Sequence, residues 1–216
     1  MKNSLPLPLI FAAIFAVHTC CTAGTPDSAP KSPSASGGTG SSAPSDRVVA
    51  KLNHGLRLFD AAVASGTISA FEEYQKKLTA FTDSAKGTPR EAITQDEVAR
   101  FLMLWLGLWN SGDTAQQASL YAPDFAWLSY AASKGFVLQS KDQIFADREN
   151  YVKGGASILV DVSELEILQE GGLTSISFIQ NYQRGMYRTK GSKSLRLRRG
   201  GPAGLLIVFE EFNLPK

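Results

Sequence analysis

The chain has 216 residues, 44% of them apolar, which allows one or two domains with a buried core. Its formal charge of +2 selects no class of partner. His18, Cys20 and Cys21 lie near the N-terminus and His54 is the only other histidine. The C-terminal part therefore holds no disulfide, thiol nucleophile, cysteine or histidine zinc site or Ser-His-Asp triad, and neither metal nor cofactor is expected.

In chain order, residues 1–23 read as an export signal. After Lys2, "LPLPLIFAAIFAV" (Leu5 to Val17) is an apolar run of signal-peptide length, too short to span a bilayer comfortably. A lipoprotein would be acylated at Cys20 or Cys21, although His18 and Thr19 are poor lipobox residues; cleavage after Ala23 would instead remove both thiols. Both forms put the protein outside the cytoplasm, in a bacterial periplasm or on its membrane through a lipid anchor. An uncleaved anchor is the third form. Residues 24–46, nearly all Ser, Pro, Gly, Ala and Thr, predict a disordered tether.

Residues 47–86 predict a helical hairpin. Leu52, Leu56, Phe59 and Val63 share one face, Ser65-Gly66 breaks the period, and Ile68, Phe71, Gln75, Leu78 and Phe81 or Thr82 resume it behind a Thr67 cap. Such a hairpin packs on itself or on the main domain, or serves as a partner-binding coil. His54, at the edge of the face with no second ligand nearby, reads as a packing or surface residue.

Residues 94–213 form the main domain. Thr94 and Glu97 make a capping box, and Val98, Phe101, Leu102, Trp105, Leu108 and Trp109 mark the buried stripe of a helix ending near Gly112. A short helix is expected from Asp113 to Tyr121, stopped by Pro123. Another runs from its Ser140–Gln143 box to about Val152, ended by Gly154-Gly155. The period then changes to two. Ile158, Val160 and Val162 lead to Leu165 and Ile167; Ile176, Phe178, Gln180 and Tyr182 share a face; Leu195 alternates with Arg196, and Leu197 with Arg198. Leu205, Ile207, Phe209 and Glu211 close the series, with turns at Gly171-Gly172, Gly191 and Gly200-Gly201. Helices first and a curled antiparallel sheet second is an α+β class.

From Thr94 onward 13 basic residues face 13 acidic ones, yet seven of the basic ones lie between Arg184 and Arg199, where there is no carboxylate. With Leu195 and Leu197 toward the core, Arg196 and Arg198 point outward, and Arg184, Arg188, Lys190 and Lys193 lie near the turn. These charges are either the solvated face of a hairpin or a surface for carboxylates or phosphates of an anionic partner. Nucleic acid is not expected, because Tyr187 is the sole exposed stacking aromatic there.

"FLMLWLGLWNSGDTAQQASLYAPDF", then "SFIQNYQRGMYRTKGSKSLRLRRG" and "LLIVFEEF", resemble the nuclear-transport-factor-2-like (SnoaL-like) cone fold. More narrowly they resemble the C-terminal domain of bacterial cell-shape L,D-transpeptidase and L,D-carboxypeptidase proteins. The matching residues are the Trp-rich helix, Tyr121 to Phe125, the Phe178, Gln180, Tyr182 strand and the basic Leu-x-Leu strand. The resemblance implies a cone-shaped curved sheet with N-terminal helices, here preceded by the hairpin, and a sheet face through which such folds dimerise. The catalytic domain's His and Ser-x-Gly-Cys signature is absent, so transpeptidation is not implied.

A cone fold has a pocket between sheet and helices, and strand phase directs Gln180, Tyr182 and Glu211 into it beside Trp109, Tyr121 and Phe125. Two functions follow. The first is an exported, non-catalytic cell-envelope module that binds an envelope polymer or protein and assists peptidoglycan enzymes. The second is an isomerase- or dehydratase-like enzyme, with Glu211 as a base raised by desolvation and Tyr182 as donor to an oxyanion. A self-associating scaffold is a third class.

Overall fold

The computed structural model describes residues 44–85, 92–170 and 173–214. The Leu5 to Val17 run, Cys20, Cys21 and the tether before Pro44 lie outside them. The chain divides into two compact units, Met1–Leu56 and Arg57–Lys216. Among the described residues the first unit contributes only the opening turns of helix α1 (Pro44–Ala64). No helix among the described residues is long and apolar enough to cross a membrane.

Helix α2 (Ile68–Ala85) follows the Ser65-Gly66 break. Helix α3 (Gln95–Ser111) carries both halves of the expected capping box at Thr94 and Glu97, and ends on left-handed Gly112. Its buried stripe is Val98, Phe101, Leu102, Trp105, Leu108 and Trp109. After α4 (Thr114–Ser119) the structure departs from the expected helix, because Tyr121 opens strand β1 (Tyr121–Ala131). Pro123 does not end an element. It sits inside β1 where pairing with the neighbouring strand skips between Tyr121 and Ala126, so its missing N–H breaks no regular ladder.

The remaining elements are β2 (Gly135–Ser140), α5 (Lys141–Lys153, capped by Ser140 and Gln143), β3 (Ile158–Glu170), β4 (Leu173–Arg184), β5 (Tyr187–Arg199) and β6 (Leu205–Phe212). The six strands form one curved, unclosed sheet in the order β2-β1-β6-β5-β4-β3. Neighbours are antiparallel except β1 and β6, which run parallel, a pairing that the long connection between them permits. The fold is α+β.

Both faces of this sheet bear an apolar layer. On the interior face, α3 and α5 pack against Ile158, Val160, Ile176, Phe178, Leu195, Leu197, Leu205 and Ile207. On the back face, Leu58 and Ala62 of α1 and Phe71 and Tyr74 of α2 cover Ala126, Leu128, Phe136, Val208 and Phe209. Residues 57–85 thus roof the β2-β1-β6 half of the sheet. The Thr67 hydroxyl, expected as a cap, instead bonds Ser65 Oγ at 2.7 Å and accepts the Phe136 N–H at 2.9 Å. Gly135, at φ +69, permits this approach: a Cβ there would lie 2.6 Å from Ser65.

Two local features set the side-chain phase. Pairing of β5 with β6 skips between Arg196 and Leu197, which oppose Phe209 and Ile207, so Val208 is an extra residue in β6. Leu205 and Ile207 therefore face the interior, while Phe209 and Glu211 face the back and Glu210 takes the interior position. The β4–β5 turn also differs from expectation. It lies at Gly185-Met186, and Gly191 is inside β5 opposite Gln180. A glycine stands there for close packing, since a Cβ would meet Asn213 Oδ1 at 2.9 Å and the Phe212 ring at 3.1 Å.

Candidate functional site

Of the six residues expected in the pocket, Trp109, Tyr121 and Phe125 join the interior core, with Gln180 buried beside them on β4 and Tyr182 half-buried at their edge. Glu211 does not join them. The extra residue at Val208 rotates it to the back face, where its Oε1 accepts the Tyr74 hydroxyl at 2.5 Å and Arg196 Nη1 at 2.9 Å. Glu211 and Tyr182 thus lie on opposite faces, and the expected base–donor pair is not formed.

The interior carboxylate is Glu210, one residue earlier. Its side chain is 1% exposed and pairs with Lys193, itself 3% exposed. Tyr121 donates its hydroxyl to Glu210 Oε2 at 3.3 Å and accepts the Trp105 indole N–H at 2.9 Å. Burial pulls the Lys193 ammonium below the ordinary lysine value, opposed by the Glu210 charge. Burial and then the same carboxylate push the Tyr121 phenol well up. This chain of hydrogen bonds fixes Glu210 between a cation and a phenol. Sequence reasoning missed it, although two consecutive glutamates on a strand always present one to each face.

Arg148 was missed as well. It lies on α5, four residues after Ile144 and three after Phe145, on the stripe that faces the interior, and is 7% exposed. Its guanidinium carbon is 3.7 Å from the Trp109 ring centroid and 4.8 Å from that of Phe145. A charged residue at helical spacing on an apolar stripe is the signal that would have found it.

The six predicted surface cations separate. Lys193 is corrected outright, being inside the core. Arg196 and Arg198 do lie on the face opposite Leu195 and Leu197, but that face is not open. Arg196 donates to Tyr74 Oη at 3.1 Å as well as to Glu211, and Arg198 forms a two-pronged pair with Asp124 at 3.1 and 3.3 Å. Arg199 binds Glu97 at 2.8 Å and the Ala92 carbonyl at 2.7 Å. Arg184 stacks 3.7 Å over Tyr151.

Arg188 and Lys190 remain exposed. Together with Leu159, Asp161, Asn181, Tyr182, Gln183 and Thr189 they line an open groove of about 510 Å³ across β3, β4 and β5. Neither cation has an ion-pair partner among the described residues. Asn181 and Gln183 place carboxamides opposite Lys190 and Arg188, so cationic and neutral donors converge on one strip of strand surface. No group of metal-ligating side chains occurs among the described residues.

No protein-family model matches the chain, and no curated protein matches it. Several solved structures are similar to it. Bd1075 of Bdellovibrio bacteriovorus is 18% identical over 56% of this chain and 40% of its own, with a TM-score of 0.46. A nuclear-transport-factor-2-like (NTF2-like) protein of unknown function from Pseudomonas putida is 14% identical over 56% of this chain and 86% of its own, TM-score 0.45. The helical cell shape determining protein Pgp2 of Campylobacter jejuni is 18% identical over 57% of this chain and 43% of its own, TM-score 0.44. The matches span less than half of the Bd1075 and Pgp2 chains. Both groups named by the sequence resemblance, NTF2-like domains and a cell-shape protein, are among these structures.

Proposed function

We propose that the chain is an exported, non-catalytic module of a bacterial cell envelope that binds an anionic envelope polymer through the β3–β5 groove and assists peptidoglycan enzymes. The observation that carries this reading is Arg188 and Lys190, two exposed cations without an ion-pair partner among the described residues, in an open groove lined by residues of β3, β4 and β5. Carboxylate-bearing glycan strands and their peptides offer the charge such a groove takes. The apolar Leu5 to Val17 run and the Ser/Pro/Gly tether support export, by cleavage or by acylation at Cys20 or Cys21. The sequence resemblance supports peptidoglycan as the polymer.

The partners of the two glutamates weigh against the enzyme reading. Glu211 is held by Arg196 and Tyr74, and Glu210 by Lys193 and Tyr121, so each carboxylate near the strand end already carries a cation.

The test is sedimentation with purified peptidoglycan sacculi. Wild type should co-sediment, and Arg188→Gln/Lys190→Gln should lose most of that binding without unfolding. Equal binding by the double variant would remove the groove from the reading. If the free protein self-associates in a manner the same variant abolishes, the strip belongs to a second copy instead.

A further inference from the structure

The exposed large apolar side chains among the described residues are not spread evenly. Met186, Tyr187, Leu159 and Tyr151 gather at the end of the sheet where β4 turns into β5. Met186 is 99% exposed and stands at the apex of the two-residue turn Gly185-Met186. Cations sit directly behind this apex, on both faces of the hairpin. Arg184 lies on the interior side, 3.7 Å over the Tyr151 ring of α5 and 5.6 Å from that of Tyr187. Arg188 and Lys190 lie on the back, opposite Gln183 and Asn181. None of the three has an ion-pair partner among the described residues. No carboxylate occurs in the sequence from Gly171 to Phe209. Of those on adjoining elements, Asp161 is set back opposite Asn181, and Glu149 is held by Lys153 at 2.9 Å. The Gly185 N–H donates to the Ser157 carbonyl at 3.2 Å, so the turn is fastened to the loop Gly154 to Ser157, which adds no charge.

We propose that the β4–β5 turn is a membrane-contact tip that enters the headgroup layer of an anionic lipid surface. A Met side chain at a convex apex stays in water unless the apex enters an apolar medium, and the boundary between headgroups and acyl chains supplies one. Tyrosine favours that boundary, because its ring enters the apolar side while its hydroxyl stays wet. Arg184, Arg188 and Lys190 then stand at the level of the phosphates, where anionic lipid attracts each of them. The arrangement favours a plane over a polymer. Cations on opposite faces of one hairpin meet a surface together when the tip is pushed into it, whereas a polymer strand lying along either face meets only those on its side. Leu159, on the back beside Gln183, extends the apolar contact. Arg188 and Lys190 also line the groove proposed above, but Met186 and Arg184 do not, so the test turns on these two.

The experiment reads the tip itself. In the full chain carrying Met186→Trp the added indole is exposed, whereas Trp105 and Trp109 are buried and Trp127 is partly so. The protein is titrated with vesicles containing brominated lipid, which quenches an indole only at membrane depth. One set contains phosphatidylglycerol and phosphatidylcholine, the other phosphatidylcholine alone. Met186→Trp should show quenching beyond that of the unsubstituted chain on the anionic vesicles, fading as salt rises. Arg184→Gln in the same background should raise the lipid concentration for half quenching about 5-fold, as expected for one basic residue at a charged surface. A contact made by the Leu5 to Val17 run leaves the added indole unquenched unless the turn itself enters the lipid. Met186→Ser should sediment with sacculi as wild type does, so failure of the groove and failure of the tip are told apart. No added quenching on anionic vesicles overturns the tip. Equal quenching on both compositions overturns its assignment to anionic lipid. Loss of sacculus binding in Met186→Ser overturns the lipid surface in favour of the polymer.

Discussion

Glu210 and Glu211 are neighbours in sequence and serve opposite faces of one sheet. Glu210 closes the interior network with Lys193 and Tyr121, and Glu211 ties Tyr74 of the roof helix to Arg196 of the sheet. The extra residue at Val208 decides which glutamate does which. Without it, β6 would alternate regularly from Leu205 and the two roles would exchange.

For the interior pair, removing one charge should be far worse than removing both. Lys193→Met or Glu210→Gln alone strands a buried polar or charged partner and should cost about 3–5 kcal/mol in urea unfolding. Lys193→Met combined with Glu210→Leu should recover to within about 1–2 kcal/mol of wild type, because the desolvation penalty disappears with the pair. Losses that simply add would show that the two residues act separately.

Arg196 and Arg198 alternate on one strand and look equivalent in sequence, but their stability effects should differ. Arg196→Gln breaks two hydrogen bonds under α2, one to an ionised carboxylate, and should cost about 1.5–3 kcal/mol. Arg198→Gln removes a pair whose Asp124 side is 62% exposed and should cost about 0.2–1 kcal/mol. A double-mutant cycle of Arg196→Gln with Tyr74→Phe should show coupling, since the two side chains share Glu211. Equal losses at Arg196 and Arg198 would mean that α2 does not depend on the triad.

These contrasts show what the sequence could and could not convey. The α3 stripe and both capping boxes were legible because helical period and cap chemistry are local. The phase of Leu195, Arg196, Leu197 and Arg198 was legible for the same reason. What covers Arg196 was not, since Tyr74 lies 122 positions away. The phase of β6 was hidden because Leu205 to Phe209 are five apolar residues in a row, which carry no alternation to reveal an inserted one. Lys193 was misplaced because Gly191 suggests a turn, whereas it serves close packing against Phe212. Strand β1 was masked by Pro123, which ordinarily ends elements.

Acid stability should report the Glu97–Arg199 link. Arg199, with the Thr94 backbone and hydroxyl, holds the Glu97 carboxyl down from 4.5 to about 2. A carboxylate with a depressed folded value contributes stability above its unfolded pKa and loses it as pH falls through the folded one. Glu97→Gln keeps the capping hydrogen bond, so its melting-temperature deficit should be constant above about pH 5 and vanish toward pH 2. A deficit that persists at pH 2 would point to packing rather than charge.

The last expectation concerns Asp161, the one carboxylate lining the β3–β5 groove. Its Oδ1 accepts the Val162 N–H at 2.9 Å, a bond that the carbonyl of asparagine can replace, so Asp161→Asn should leave folding within about 0.5 kcal/mol of wild type. On the proposed reading Arg188 and Lys190 would attract an anionic polymer, and Asp161 would repel it at the same strip. Removing that repulsion should tighten sacculus binding by about 2–5-fold at low salt, as expected for one charge interaction of under 1 kcal/mol near a protein surface. The gain should fade as salt shortens the screening length below ~8 Å. The measurement is a binding isotherm on sacculi for wild type and Asp161→Asn at two ionic strengths. If Asp161→Asn binds more weakly, Asp161 is itself a contact for a cationic group, and the groove recognises a ligand of mixed charge.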